Sequence, residues 1–138
     1  MTDVRLRLNP TPRPAAEGGA VREAPVFGET FTDHMVTMRY ADGVWGPLEL
    51  QPFAPLELSP GTLALHYGQS IFEALKAYSL ADGSAALFRP DRNARRMAAS
   101  ARRIAIPELP DGAFELGCAL LAGADESWIP STDGAALY

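Results

Sequence analysis

The sequence predicts a layered α+β domain in which two helices flank a mostly antiparallel sheet. Two pairs of strand-like stretches are each joined by an Ala-Asp-Gly turn, at 41–43 and 81–83. Stretches with helical periodicity follow from residues 90 and 112. The length of 138 residues suits one domain that buries roughly two-thirds of its unfolded surface.

Residues 1–26 are expected to form an extended, mobile N-terminal arm, because they contain four prolines, a Gly-Gly pair and few apolar residues. Early positive charge is present, but no apolar stretch follows it, so we do not expect a secretory signal. The domain itself is expected to occupy residues 27–138.

The predicted strands follow in order from this boundary. HMVTMRY (34–40) and VWGPLELQPF (44–53) form the first hairpin, and FEALKAY (72–78) and AALF (85–88) form the second. A last strand is expected at AALY (135–138), and its apolar end is typical of a chain cut within an element.

The first predicted helix begins at Pro90, which needs no amide hydrogen there, and Asp91 suits its positive end. Pro107 and Pro110 are expected to end this helix. Asp111 is then a plausible N-cap for a second helix over 112–124. One face of the first helix is apolar and carries Ala94, Met97, Ala98, Ala101, Ile104 and Ala105.

The first helix also carries a stripe of arginines, whereas Lys76 is the only lysine among twelve basic residues. Such a stripe could bind a phosphate through bidentate hydrogen bonds, or form a solvated face that pairs with Glu108 and Glu115. Arg96 lies nearest Asn93 and the apolar face, so it is the arginine expected to turn inward. The stripe consists of Arg92, Arg95, Arg96, Arg102 and Arg103.

Composition excludes several other functions. A net charge of −5 argues against a general nucleic-acid binder, and no apolar run is long enough for a membrane helix. The lone Cys118 excludes a disulfide framework and indicates the cytoplasm, and packing is its expected role. His34 and His66 lack the spacing of metal ligands and are expected to be satisfied core or surface residues, so no metal site is predicted.

The stretch HYGQSIFEALKAYSLADGSAALFRPDRNARRMAASARRIAIPELP (66–110) resembles the branched-chain amino acid aminotransferases, which are pyridoxal-phosphate enzymes of fold type IV. The resemblance extends through FTDHMVTMRY (31–40), WIP (128–130) and the final ALY, and covers about four-fifths of the chain. It implies the small N-terminal domain of an enzyme that transfers the amino group of Leu, Ile or Val to 2-oxoglutarate.

The resemblance also implies site residues. The last arginine of R-P-x-x-N-x-x-R, here Arg96, corresponds to the residue that binds the cofactor phosphate. The tyrosine and phenylalanine of H-Y-G-x-x-x-F-E, here Tyr67 and Phe72, correspond to walls of the pocket for the branched side chain. Phe31 of F-T-D-H-M and Tyr138 of the last strand resemble further walls. From the residues alone, these aromatic side chains are expected in the core and not in a pocket.

Two departures from the family pattern matter. Ala74 stands where the family usually has a glycine, which would strain the strand if that position requires positive φ. The chain also stops before the domain that carries the Schiff-base lysine in the resembled enzymes, and Lys76 matches a different family lysine. No catalytic residue is therefore expected in this chain, and the chain alone is expected to be inactive. The resemblance also implies that the full-length enzyme is a homodimer.

Two alternatives remain open at this point. Another fold type IV enzyme, a D-amino acid aminotransferase or an aminodeoxychorismate lyase, would share the same domain. A non-catalytic module that binds a phosphate or a protein partner through the arginine stripe is the second alternative.

Overall fold

A three-stranded sheet, a two-stranded sheet and three helices make up the chain in the computed structural model, which describes residues 2–13, 28–132 and 134–138. The α+β class is confirmed. The strands are β1 (Val4–Leu6), β2 (His34–Ala41), β3 (Val44–Pro52), β4 (Ala77–Ser79) and β5 (Ala85–Leu87). The helices are α1 (Leu63–Tyr67), α2 (Pro90–Arg103) and α3 (Ala113–Ala124), and a 3-10 turn follows at Glu126–Trp128.

The predicted hairpin between β2 and β3 is confirmed. Asp42 and Gly43 both have positive φ, at 52° and 83°. This turn geometry matches the right-handed twist of the paired strands. The antiparallel register places Met38 opposite Leu48, and Leu48 is fully buried. The hairpin therefore directs Leu48 into the core.

Part of the expected N-terminal arm belongs to the sheet. β1 is extended, as predicted, but it pairs in parallel with β3, where Val4 lies opposite Leu48. Hydrogen bonds of 2.9 Å from Leu48 N to Asp3 O and from Arg7 N to Leu50 O flank the pairing. The prediction of a mobile arm is wrong here because β3 supplies an edge for this strand. Residues 14–26 of the predicted arm lie outside the described residues.

The second sheet is shorter than predicted. β4 begins at Ala77, so the prediction of a strand over residues 72–76 is wrong. The backbone carbonyl of Ala74 accepts a hydrogen bond from the side chain of Asn93 in α2 at 2.7 Å. Leu137 pairs with Ala77 through two backbone hydrogen bonds of 2.8 and 3.0 Å. This contact is a single bridge and not the strand expected over residues 135–138.

Both long helices form where helical periodicity predicted them. α2 begins at Pro90, as predicted, but it ends at Arg103, before the prolines, and Ala105 has a φ of 56°. α3 begins at Ala113, after Gly112 with a φ of 75°. Asp111 is not the N-cap, because Gly112 occupies that position in a left-handed conformation without a side-chain cap.

One part of the core is the cluster of Ala77, Ala122 and Ile129, which joins α3 to the smaller sheet, and another lies between α3 and the larger sheet. A Cβ atom on Gly117 of α3 would lie 3.3 Å from Cγ1 of Val36 and 3.4 Å from Cδ1 of Leu48. The absence of a side chain at Gly117 therefore lets the helix approach the sheet closely. Across the described ranges, no helix has the length and apolar character needed to cross a bilayer.

Candidate cofactor-phosphate and substrate site

The site centres on the side of α2 that faces the loop before β4. Asn93 and Arg96 are three residues apart, so they share a helix face. Nε of Arg96 donates to Oε2 of Glu73 at 2.8 Å, and Nη2 donates to Oε1 of the same carboxylate. Nδ2 of Asn93 donates to Oε1 of Glu73 at 3.0 Å. Two consecutive turns of α2 therefore bind one carboxylate.

The carboxylate of Glu73 is the buried member of this cluster. Its side chain is 4% exposed, whereas that of Arg96 is 67% exposed. The hydrogen bond from Arg96 is the largest cause that lowers the pKa of Glu73 to about 2, and the N–H groups of Ala74 and Asn93 lower it further, against the effect of burial. The same hydrogen bond raises the pKa of Arg96. Glu73 is therefore an ionised, anchored partner that holds one edge of the guanidinium.

Arg96 differs from its neighbours in the arginine stripe. Arg92 and Arg95 lie 3.8 and 3.7 Å from the exposed carboxylate of Asp91. Arg102 pairs with Glu108, as the solvated-face interpretation predicted. The side chain of Arg96 is about as exposed as those of these neighbours, so the expected inward turn is not observed. Arg96 differs from the other three in that its carboxylate partner is buried.

Ala74 is accommodated without backbone strain. The non-glycine residues with positive φ in the described part of the chain are Asp42, Arg89 and Ala105, so Ala74 has an ordinary conformation. Its N–H donates to Oε1 of Glu73 at 2.9 Å. The replacement of the usual family glycine therefore leaves this loop undistorted.

Two of the aromatic residues predicted as pocket walls are almost fully exposed. Tyr67, the last residue of α1, is 82% exposed, and Phe72, directly before Glu73, is 85% exposed. A side chain with this exposure is neither core nor enclosed in a pocket within this chain. Phe72 nevertheless precedes Glu73 in sequence, so the same loop carries a predicted wall and the carboxylate that binds Arg96.

The other two predicted walls lie at different places in the fold. Phe31 precedes β2 and stacks on Phe53, which follows β3, with ring centroids 4.8 Å apart and planes inclined by 11°. Tyr138 follows the bridge between Leu137 and Ala77 and is 57% exposed. Since Ala77 also begins β4, this bridge brings the residues after the 3-10 turn back to the loop that carries Phe72.

A buried polar network at the start of β2 was not found from the sequence. Nδ1 of His34 lies 2.6 Å from Oδ1 of Asp125, and Nε2 lies 2.8 Å from the backbone nitrogen of Asn9. The N–H of Asn9 can only donate, so Nε2 accepts and Nδ1 carries the proton. The expectation that His34 is a satisfied core histidine is confirmed, and its partners are what the sequence left unidentified.

Asp33, the neighbour of His34, extends this network to Phe31. Its Oδ2 accepts the indole N–H of Trp128 at 2.9 Å, and its Oδ1 accepts the backbone N–H of Arg13 at 3.2 Å. The guanidinium of Arg13 lies 5.1 Å from the centre of the Trp128 ring and donates to the carbonyl of Phe31 at 3.1 Å. The only sequence signal for these contacts is the presence of Asp33 and Trp128 in the motifs that carry the resemblance.

Cys118 lines a cavity of about 720 Å³ between α2, α3 and the larger sheet. Burial, followed by the charge of Glu115, raises the pKa of its thiol to about 11. The thiol is therefore protonated near neutral pH and is a poor nucleophile, as its predicted packing role requires. Within the described residues, no group of three or more His, Cys, Asp or Glu side chains is arranged to hold a metal ion.

No protein-family model matches the chain. Several curated proteins are nevertheless similar to the chain over most of its length. A probable branched-chain-amino-acid aminotransferase of Streptomyces coelicolor is 46% identical over 137 residues, which cover 97% of this chain and 38% of that protein. The branched-chain-amino-acid aminotransferase of Mycolicibacterium smegmatis is 48% identical over 83% of this chain and 33% of its own length. Branched-chain-amino-acid aminotransferase 2 of Bacillus subtilis is 37% identical over 98% of this chain and 36% of that protein.

These similarities place the chain among the aminotransferases, which are enzymes. Within that class it belongs to the branched-chain-amino-acid aminotransferase family. The chain spans about a third of the length of the curated relatives it matches, which is consistent with the N-terminal part indicated by the motifs.

Proposed function

We propose that this chain supplies the phosphate-binding arginine and the side-chain pocket walls of a pyridoxal-phosphate-dependent branched-chain aminotransferase. The whole enzyme would transfer the amino group of Leu, Ile or Val to 2-oxoglutarate. The observation that carries the proposal is the position of Arg96, whose guanidinium is oriented on one edge by buried Glu73 and open to solvent elsewhere.

The donor set at Arg96 fits a phosphate. A guanidinium has five N–H donors, and phosphate is bound best through parallel, charge-assisted hydrogen bonds. Glu73 occupies the Nε edge, so Nη1 and the outer hydrogen of Nη2 remain for a second anion. The pyridoxal ring, when bound, supplies the electron sink that stabilises negative charge on the substrate α-carbon.

The exposed aromatic residues support a pocket that is completed outside this chain. Tyr67, Phe72, Phe31 and Tyr138 are between 51% and 85% exposed, and exposed apolar side chains are typical of surfaces that another chain or domain covers. Apolar and aromatic walls suit the side chains of Leu, Ile and Val, which need no polar contacts. We propose that the remainder of the enzyme, and a second subunit of a cytoplasmic homodimer, close this pocket.

This chain alone is proposed to be inactive. Transamination needs a lysine that holds the cofactor aldehyde and moves the α-proton. The one lysine, Lys76, is exposed and lies in the loop before β4, and the family resemblance gives it a different role. Loss of a general base costs roughly 10²–10⁴-fold in rate.

A hybrid enzyme tests the proposal. The chain is joined to the remainder of the S. coelicolor relative, and transfer from L-leucine to 2-oxoglutarate is measured. We expect activity in the hybrid and none in the chain alone. Preferential turnover of D-alanine or aminodeoxychorismate would favour the other fold type IV enzymes. Phosphate-ester binding by the chain, combined with an inactive hybrid, would favour a binding module.

Co-expression of the chain with the same C-terminal remainder gives a second measurement. The exposed aromatic rings are expected to make the chain aggregate when it is expressed alone. We therefore expect the remainder to increase its solubility. A monomeric chain that is indifferent to the remainder would contradict the shared pocket.

A further inference from the structure

We propose that Glu73 and Asn93 are positioning residues that hold the Arg96 guanidinium in the orientation required to bind the cofactor phosphate. This inference rests on the proposed function, in which Arg96 is the phosphate residue. The family resemblance assigned no role to either side chain here; their roles follow from the contacts.

The first argument is geometric. Both oxygens of Glu73 face the Nε and Nη2 side of Arg96, so the carboxylate and the guanidinium form a two-point contact. A two-point contact sets the plane of the guanidinium as well as its position. The N–H groups left over then point away from Glu73, on the side where a second anion can approach.

The second argument is that Glu73 is itself anchored. Its Oε1 accepts from the N–H of Ala74 at 2.9 Å and from Nδ2 of Asn93 at 3.0 Å. The same Asn93 nitrogen donates to the carbonyl of Ala74 at 2.7 Å, so the side chain joins α2 to the loop. Glu73 is 4% exposed in this arrangement. A largely exposed arginine is thus tied to a buried carboxylate that cannot easily move.

Two effects of Glu73 on phosphate binding oppose each other. Its negative charge repels a phosphate, but charges near the surface are screened by water and salt. Its contact with Arg96 immobilises a long side chain before the phosphate arrives, which removes part of the entropic cost of binding. We expect orientation to outweigh repulsion at physiological ionic strength, so loss of Glu73 weakens phosphate binding.

The experiment uses the hybrid enzyme and compares two ligands. Dissociation constants are measured for pyridoxal phosphate and for pyridoxal, which lacks the phosphate. The variants are Glu73→Gln, Asn93→Ala and Arg96→Ala. Glu108→Gln is the matched control. Glu108 also pairs with an arginine of α2, Arg102, but this ion pair is exposed. The phosphorus NMR shift of the bound cofactor gives a readout that does not depend on activity.

Glu73→Gln and Asn93→Ala are each expected to weaken pyridoxal phosphate binding by roughly threefold to tenfold, the scale of ordering one long side chain. Pyridoxal binding should remain within about twofold of the parent, and the phosphorus signal should shift. Glu108→Gln should change neither constant. Because Asn93→Ala keeps the Glu73 charge, it tests positioning even if Glu73→Gln fails to fold.

The outcomes separate the inference from the proposed function. Unchanged or tighter pyridoxal phosphate binding in Asn93→Ala, or an equal loss for both ligands, would overturn the positioning role. If Arg96→Ala then weakens the binding of pyridoxal phosphate but not that of pyridoxal, the proposed function still stands. If Arg96→Ala affects both ligands equally, Arg96 does not bind the phosphate, and both proposals fail.

Discussion

The ring of His34 lies 2.6 Å from the carboxylate of Asp125, across 91 residues of sequence. The contact joins the first residue of β2 to the C-cap residue that follows α3, and both side chains are buried. The backbone N–H of Asp125 bonds to Leu121, so the carboxylate is held at the helix end. Through Asn9, the same histidine also holds the N-terminal segment against the sheet.

Replacing His34 should destabilise the chain more than replacing an exposed charge. His34→Phe keeps the ring volume but leaves the Asp125 carboxylate without its strongest donor. The expected loss is about 1.5–3 kcal/mol, the range for hydrogen bonds to charged groups. Urea unfolding of the hybrid enzyme, followed by tryptophan fluorescence, measures it, with Arg5→Ala, whose ion pair is exposed, as a control costing less than about 1 kcal/mol. Equal losses would contradict a structural role for the buried pair.

The Glu73–Arg96 pair should make stability depend on pH in the acid range. The pKa of Glu73 is lowered from 4.5 to about 2 in the folded chain. Because the pKa of Glu73 is lower in the folded state, its ionised form stabilises the fold fully when the pH is above the unfolded-state pKa. This contribution to the free energy of unfolding is lost as the pH falls towards the folded-state pKa. The urea midpoint of the hybrid enzyme should therefore fall more steeply between about pH 4.5 and 2 in the parent than in Glu73→Gln. Parallel curves would argue against the contact.

Gly117 and Gly123 of α3 should respond oppositely to substitution. Gly117→Val places atoms against Val36 and Leu48, so we expect a loss of about 1–3 kcal/mol from overpacking. A Cβ on Gly123 meets nothing within 4 Å, so Gly123→Ala should gain up to about 1 kcal/mol through helix propensity. Thermal unfolding of the hybrid enzyme carrying each variant checks the pair. Stabilisation by Gly117→Val would contradict the close approach of α3 to the sheet.

Arg96 and Arg102 should differ in their effect on cofactor affinity in the hybrid enzyme. Arg96→Ala is expected to weaken binding of pyridoxal phosphate by at least about 1.5–3 kcal/mol, because a charged hydrogen bond is lost. Arg102→Ala removes an exposed charge that pairs with Glu108 and should cost at most about 1 kcal/mol. Equilibrium dialysis gives both values. Similar losses would indicate a diffuse electrostatic surface instead of one phosphate residue.

Lys76 should not form a stable imine with pyridoxal phosphate. The residue is exposed in the loop before β4, and the resemblance places the cofactor lysine elsewhere. Borohydride reduction of the mixture, followed by peptide mapping, should show only slight, scattered labelling. Stoichiometric label on Lys76 would require a different assignment of the lysine.

Local features of the fold followed from the sequence because they depend on neighbouring residues. The Asp42-Gly43 turn needs two residues that tolerate positive φ, and the first position of α2 tolerates a proline because its amide hydrogen would have no partner within the helix. Helical periodicity likewise placed Arg96 beside Asn93 on α2, and the two side chains bind the same carboxylate of Glu73. The family motifs indicated the aminotransferase family, and the curated relatives agree.

Only the tertiary structure decided which distant groups meet. The sequence pattern predicted a strand from residue 72, but Asn93 binds the backbone of Ala74, so β4 begins at Ala77. It predicted a free arm, but the edge of β3 was available to pair with β1. Such choices depend on which donors, acceptors and edges the folded chain leaves unpaired. Periodicity records which face a residue occupies, whereas the contact of Glu73 with Arg96 depends on the placement of the loop against α2.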